Sequence, residues 1–303
     1  MDTNILLENG TNELEILEFA LAGFSYGINV AKIREIVAYQ DVTPVPNAHP
    51  SIEGIFMPRD TMITAIDLKN CLGRGEAARG GMFIITNFNK LNIAFHVENV
   101  LGIHRVSWTE IVKPDGTLAS AEESVVTGIV KKDGKLIIIL DFEKIVSDIN
   151  PETGLKMSEI DTLGERKRRS VPILISEDSP LLNKLIVDCL KKSGYENLIH
   201  TENGQMAYDV LTKYKQEGTL HDHVRCIITD IEMPVMDGHR LTKLVKEDDA
   251  TKNIPVVIFS SLVNEEMKRK GEALGADAQL SKPEIGNLVR IVDELVDKYK
   301  LEE

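Results

Sequence analysis

The chain has 303 residues, 43% apolar and 27% charged, with a formal net charge of −13. That length predicts two domains, and the acidic balance excludes nonspecific nucleic-acid binding, because phosphates repel an acidic surface. Three cysteines without CxxC spacing, no basic leader and no apolar run near the ~18 residues of a membrane span predict a cytoplasmic protein without membrane insertion.

From Glu13 to about Val146, short apolar or alternating segments recur. They are Ile16–Leu21, Tyr26–Val30, Ser51–Met57, Thr61–Ile66, Met82–Thr86, Leu91–Val97, Ser124–Val130 and Leu136–Leu140. Turn signals separate them, and Asp133-Gly134 between apolar runs is a strong hairpin signature. Many short strands with little room for crossover helices predict an all-β domain of antiparallel sheets or small barrels. Ala31–Val37 reads as a short helix, and Phe142–Ile149 as a helix leading out of the domain. No nucleophile with a base, no metal spacing and no phosphate-cradling glycine loop appears here. A binding module is expected rather than an enzyme.

The run Ile33-Arg34-Glu35-Ile36-Val37, then Thr43-Pro44-Val45-Pro46, then Ile52-Glu53-Gly54-Ile55-Phe56-Met57-Pro58-Arg59-Asp60 resembles a CheW-type chemotaxis coupling domain. The resemblance covers roughly residues 13–148 and implies two small β-barrels that dock a chemoreceptor tip and a histidine kinase. The family's Asn-Leu-Arg-Gly turn reads Met57-Pro58-Arg59-Asp60 here, keeping the arginine alone. The resemblance therefore implies a receptor or kinase contact through Arg59, together with Glu35. The alternative for Arg59 is an ordinary surface ion pair, which is common and energetically modest.

Asn150-Pro151-Glu152-Thr153-Gly154 breaks the preceding helix, and a polar stretch runs to Ser170. Its basic cluster, Arg166–Arg169, reads as a solvated linker in so acidic a chain.

Beyond it, four apolar runs end in polar residues. Val171–Ile175 leads through Ser176 to Glu177-Asp178; Ile227-Ile228-Thr229 leads to Asp230; Val256–Phe259 leads to Ser260; a run from Ala278 leads to Lys282-Pro283. In a doubly wound parallel sheet, such strand ends emerge on one rim. Ser179-Pro180 starts a helix that Gly194 stops. Asn203–Lys215, His239–Lys246 and Asn264–Leu274 supply three more, and Ile285, Leu288, Val292 and Leu295 mark the buried stripe of the last. His221-Asp222-His223 lacks the third ligand that a zinc site needs and reads as a loop.

The converging residue types describe a phosphoryl acceptor. A carboxylate, Asp230, attacks phosphorus and forms an acyl phosphate. Mg²⁺, a hard cation favouring oxygen ligands, bridges the acids and the incoming group. Asp178 and Asp230 would ligate it directly, Glu177 through water, and Glu232 through its backbone carbonyl. Lys282 would neutralise one phosphoryl oxygen and Ser260 would hydrogen-bond another.

These motifs resemble a two-component receiver domain over residues 171–303, the module that a histidine kinase phosphorylates. The resemblance implies a five-stranded parallel sheet of order 2-1-3-4-5. Glu177 stands for the commoner Asp, Ser260 for Thr, and Gln279 for the aromatic or His that rotates inward on phosphorylation. Jointly, a coupling domain over 1–150, a linker over 151–169 and a receiver over 170–303 resemble the CheV-type chemotaxis adaptors. That implies an adaptor at receptor arrays, bound to the chemoreceptor's cytoplasmic tip and to the kinase that is also its phosphoryl donor. A phosphate sink is the alternative within this architecture. An aspartate-based phosphatase is a further one, although such enzymes carry a second Asp where Glu232 stands.

Overall fold

The computed structural model describes residues 13–88, 91–112, 125–150, 169–262, 265–282 and 284–299. These fall into two units, one within Glu13–Thr153 and one within Gly154–Glu303. Most of the expected linker lies outside the described residues, as do Ser124, Asn264, Pro283 and three of the four residues of the basic cluster. The fourth, Arg169, pairs with Asp297 at 3.0 Å.

The first unit contains β1 (Glu13–Leu21), β2 (Phe24–Asn29), β3 (Ile33–Ala38), β4 (Ile52–Phe56) and β5 (Ile63–Asp67), followed by α1 (Leu68–Cys71). Then come β6 (Met82–Phe88), β7 (Leu91–Val97), β8 (Asn99–Ser107), β9 (Val126–Lys132), β10 (Lys135–Leu140) and α2 (Phe142–Ile149). They form two five-stranded sheets, ordered β8-β1-β2-β10-β9 and β3-β6-β7-β5-β4. Pairing is antiparallel except between β2 and β10 and between β5 and β7.

Each sheet is rolled. Val106 of β8 and Val130 of β9 come from the outermost strands, yet share one core with Leu14, Ile16, Ile137 and Ile139. In the other sheet, Val37 of β3 and Phe56 of β4 meet around Ile63, Phe83 and Ile85. Edge strands can share an interior only if the sheet curls upon itself, so these are the two small barrels expected. The odd positions of β1 (Leu17, Phe19, Leu21) turn the other way and join Ile66, Ile84, Phe95 and the α2 residues Phe142, Ile145 and Val146. Successive residues on a strand face opposite sides, so β1 faces its own barrel core on one side and, on the other, a cluster shared with the second sheet and α2.

The expected helix over Ala31–Val37 is not formed. A single 3-10 turn, Val30–Lys32, is capped by the Asn29 side chain, and from Ile33 the chain is strand β3 against β6. Ile33, Ile36 and Val37 fit a helical stripe by spacing, but pairing with β6 decides the matter. Strand β8 was not anticipated. It carries apolar Leu101 and Ile103 on its exposed side, which removes the alternation that marks a half-buried strand. The hairpin signal at Asp133-Gly134 joins β9 to β10, both residues having positive φ as a two-residue primed turn requires.

The second unit contains β11 (Ile173–Ser176), α3 (Pro180–Lys192), β12 (Leu198–Thr201), α4 (Gly204–Glu217), α5 (Leu220–His223) and β13 (Cys226–Thr229). It continues with α6 (Gly238–Glu247), β14 (Val256–Ser260), α7 (Glu265–Ala273), β15 (Ala278–Ser281) and α8 (Ile285–Tyr299). All five strands are parallel, in the order β12-β11-β13-β14-β15, the expected 2-1-3-4-5. Alternate residues separate its two cores. Ile173, Ile175, Ile228 and Phe259 pack under α3 and α8, whereas Leu174, Ile227 and Val256 pack under α4 and α6. Ser179, Asn203 and Asp237 cap α3, α4 and α6 through their side-chain oxygens.

Candidate phosphoryl-acceptor site

Strand register brings the polar strand ends level. Ser176 pairs with Thr229, Thr229 with Ile258, and Ser260 with Ser281, so the residues that follow leave the sheet on one rim. Backbone bonds fix them there: the Asp230 N–H donates to the Ser176 carbonyl at 2.9 Å, and the Lys282 N–H donates to that of Ser260 at 3.1 Å. Met233-Pro234 and Asp237-Gly238 follow the acceptor in the sequence, and the second pair has a local role. Asp237 accepts the Arg240 N–H at 2.7 Å and starts α6, while a Cβ on Gly238 would overlap the Asp230 carbonyl. Only glycine lets the helix begin that close to the acceptor's backbone.

The Lys282 ammonium donates to Asp230 Oδ2 at 2.7 Å and lies 3.2 Å from Glu177 Oε2. All three side chains are nearly inaccessible. Asp178 completes the group, and ligand oxygens of Glu177, Asp178 and Asp230 lie within 4.8 Å of one another. Among the described residues, no other cluster of His, Cys, Asp and Glu approaches metal-binding geometry. Burial pushes the Glu177 carboxyl up to about 8; Asp230 and Asp178 add repulsion, and Lys282 only partly offsets it. Glu177 Oε2 is buried and accepts no hydrogen bond, the nearby ammonium being poorly aligned with it. Three carboxyl groups facing one ammonium, with a buried oxygen left over, fit a hard divalent cation.

The other expected site residues divide. Ser260 is fully buried at the end of β14, where its Oγ accepts the Leu262 N–H at 3.2 Å. Glu232 follows Asp230 by two residues in the β13–α6 loop and is partly exposed. In that loop Val235 holds φ +67°, a left-handed conformation unfavourable for a β-branched side chain. Gln279 does not face the acids. Its Nε2 donates to the Lys268 carbonyl of α7 at 2.7 Å, and its amide lies over Gly271, where a Cβ would collide with it. His221–His223, expected as a loop, lies in the short helix α5 instead; among the described residues it gathers no third ligand, and His223 stacks on Tyr214 and bonds the Thr219 carbonyl.

In the first unit, Glu35 and Arg59 come together across the rolled sheet, 3.8 Å apart. Arg59 stands 84% exposed on the 3-10 turn Pro58–Asp60, where both Arg59 and Asp60 have positive φ. Met57 and Met62 flank this turn and are more than half exposed. The β4–β5 register, with Phe56 opposite Ile63, is the signal that sets these two methionines across from each other.

Comparison with known proteins accords with both halves. Residues 15–150 match the CheW-like domain family, and residues 173–293 match the response regulator receiver domain family. Chemotaxis protein CheV3 of Helicobacter pylori is 29% identical over 95% of this chain and 96% of its own length. Chemotaxis protein CheV1 of the same organism is 27% identical over 94% of each chain. The polar-differentiation response regulator DivK of Brucella anthropi is 34% identical over 37% of this chain and 83% of its own. With a CheW-like domain preceding a receiver domain, and full-length similarity to such proteins, the chain belongs to the CheV type of chemotaxis adaptor.

Proposed function

We propose that this protein couples chemoreceptors to the chemotaxis histidine kinase and that phosphorylation of Asp230 adjusts the coupling. The observation that carries the reading is the buried Lys282–Asp230–Glu177 contact beside Asp178, in a chain whose other half is a CheW-like domain. An oxygen of the Asp230 carboxylate forms the new bond to phosphorus as the donor's bond to phosphorus breaks, and the departing group keeps that electron pair. Lys282 holds the carboxylate before transfer and pairs with a phosphoryl oxygen afterwards. Ser260 donates its hydroxyl to another phosphoryl oxygen. Glu177, Asp178 and Asp230, with the Glu232 carbonyl, would hold Mg²⁺, which supplies positive charge between the acids and the phosphoryl group. Glu35 and Arg59 belong to the proposed docking surface for receptor or kinase, in the cytoplasm at receptor arrays.

The test is reconstitution of receptor, kinase and this protein with and without a phosphoryl donor. Asp230→Asn should abolish Mg²⁺-dependent labelling and remove the effect of the donor on kinase control. Acid-stable label persisting on the mutant places the acceptor elsewhere and defeats the reading. Label on wild-type Asp230 with unchanged kinase control leaves the receiver as a phosphate sink.

A further inference from the structure

The CheW-like domain contains a buried histidine whose two ring nitrogens both face acceptors. His96 of β7 is 2% exposed. Its Nδ1 lies 2.9 Å from Glu53 Oε2 of β4, and its Nε2 lies 2.6 Å from the Gly80 carbonyl. A carbonyl oxygen cannot donate, so Nε2 must carry a proton. Glu53 accepts the Tyr39 hydroxyl at its other oxygen, 3.1 Å away. Beside a Glu53 carboxylate Nδ1 donates as well, and a ring that donates from both nitrogens is an imidazolium. Both distances fit charge-assisted bonds.

The groups facing the ring come from every neighbouring element. Glu53 approaches from β4, and Asp67 of β5 is the register partner of His96. Tyr39, after β3, and Phe83 of β6 lie against the ring at 4.8 and 5.2 Å between centroids. Arg79 and Asp41, more exposed, face each other at 3.9 Å near Tyr39. Burial opposes charging the ring, but the Glu53 carboxylate and the Gly80 carbonyl prevail and raise its pKa above the ordinary range.

What His96 holds is the exposed segment 72–81 between α1 and β6, which carries Arg74 and Arg79. Two buried side chains on adjacent strands tie that segment down, beside a backbone bond from the Tyr39 N–H to the Gly81 carbonyl at 3.1 Å. Asp67 Oδ2 accepts the Ala77 N–H at 2.8 Å, and His96 binds the Gly80 carbonyl. We propose that His96 is a proton-operated latch: as an imidazolium it ties segment 72–81 to β4, and loss of the Nε2 proton, the Nδ1 proton staying hydrogen-bonded to the Glu53 carboxylate, releases the tie to Gly80. The direction follows from the raised pKa. The contribution of the latch is complete below the unfolded value of ~6.5 and is lost as pH rises through the folded value. This inference is independent of phosphorylation at Asp230.

Imidazole nitrogen NMR on the full chain tests it, with amide exchange of segment 76–81 followed from about pH 6 to about pH 9. Both His96 nitrogens should be protonated near neutral pH, with a midpoint above the ordinary histidine value of ~6.5. Exchange of the Ala77 N–H, which Asp67 holds, should quicken through that midpoint by more than the intrinsic base-catalysed rise. His96→Gln, which keeps amide donors but cannot titrate, should show fast exchange throughout and no pH step. A neutral His96 ring near pH 7 overturns the proposal, and so does an imidazolium whose titration leaves exchange of the Ala77 N–H unchanged. The wild-type measurement decides by itself should the variant not fold.

Discussion

Glu177→Gln, studied free of divalent cations, isolates the cost of assembling the acidic site. A carboxyl whose pKa climbs from an ordinary 4.5 to about 8 on folding retains a proton that the unfolded chain releases between those values. The unfolded state therefore binds fewer protons in that window, and stability falls as pH rises through it. At ~1.4 kcal/mol per decade the loss is on the order of 4 kcal/mol by about pH 8. Glutamine keeps the shape, can still accept the Ser179 N–H that now bonds Oε1 at 3.2 Å, and places an amide where Oε2 has no hydrogen bond. Wild type and variant should be similar near pH 5, and the variant should be the more stable near pH 8. Amide exchange of β11 and β13 in the intact chain reads this for the receiver alone, with protection raised by about a thousandfold at the upper pH. Mg²⁺ should close the gap by stabilising wild type, since a ligand bound to the folded state alone adds its binding energy. Parallel pH profiles for the two proteins in chelator would refute the reasoning.

Further outcomes follow from the same geometry. Lys282→Ala should still accept some phosphoryl label on Asp230 but lose the coupling response, because no charge remains to gather the phosphate; an unaltered response counts against the assignment. Gln279→Ala removes one hydrogen bond to the α7 backbone, worth ~0.5–1.5 kcal/mol, and should speed amide exchange in α7. The response to phosphorylation should survive that change while Ser260→Ala blunts it, and the reverse result in the reconstituted assay would overturn the role given to Ser260. Arg59→Glu places like charges beside Glu35 on an exposed turn. It should weaken binding to receptor or kinase with little change in folding stability, and wild-type affinity for both partners would remove Arg59 from the interface.

The receiver half was legible because its chemistry is written into strand ends. An apolar run that stops at an acid, a hydroxyl or a lysine fixes both the strand and the rim on which that residue emerges, and parallel register does the rest. Asp237 and Gly238 act locally too, the carboxylate capping α6 and the glycine clearing the Asp230 carbonyl. The barrels were legible only as a class. Ile33, Ile36 and Val37 are spaced for a helix, and only the β3–β6 pairing made them a strand. Leu101 and Ile103 obscured β8 because its apolar residues face outward. Contacts made by side chains far apart in sequence were decided by tertiary structure alone. Gln279 turns onto Lys268 and Gly271 because a helix glycine leaves room there, and Glu35 meets Arg59 because the sheet is rolled. Glu53, His96 and Gly80 are unremarkable in the sequence, since a protonation state is set by which acceptors surround the ring, and only folding brings them there.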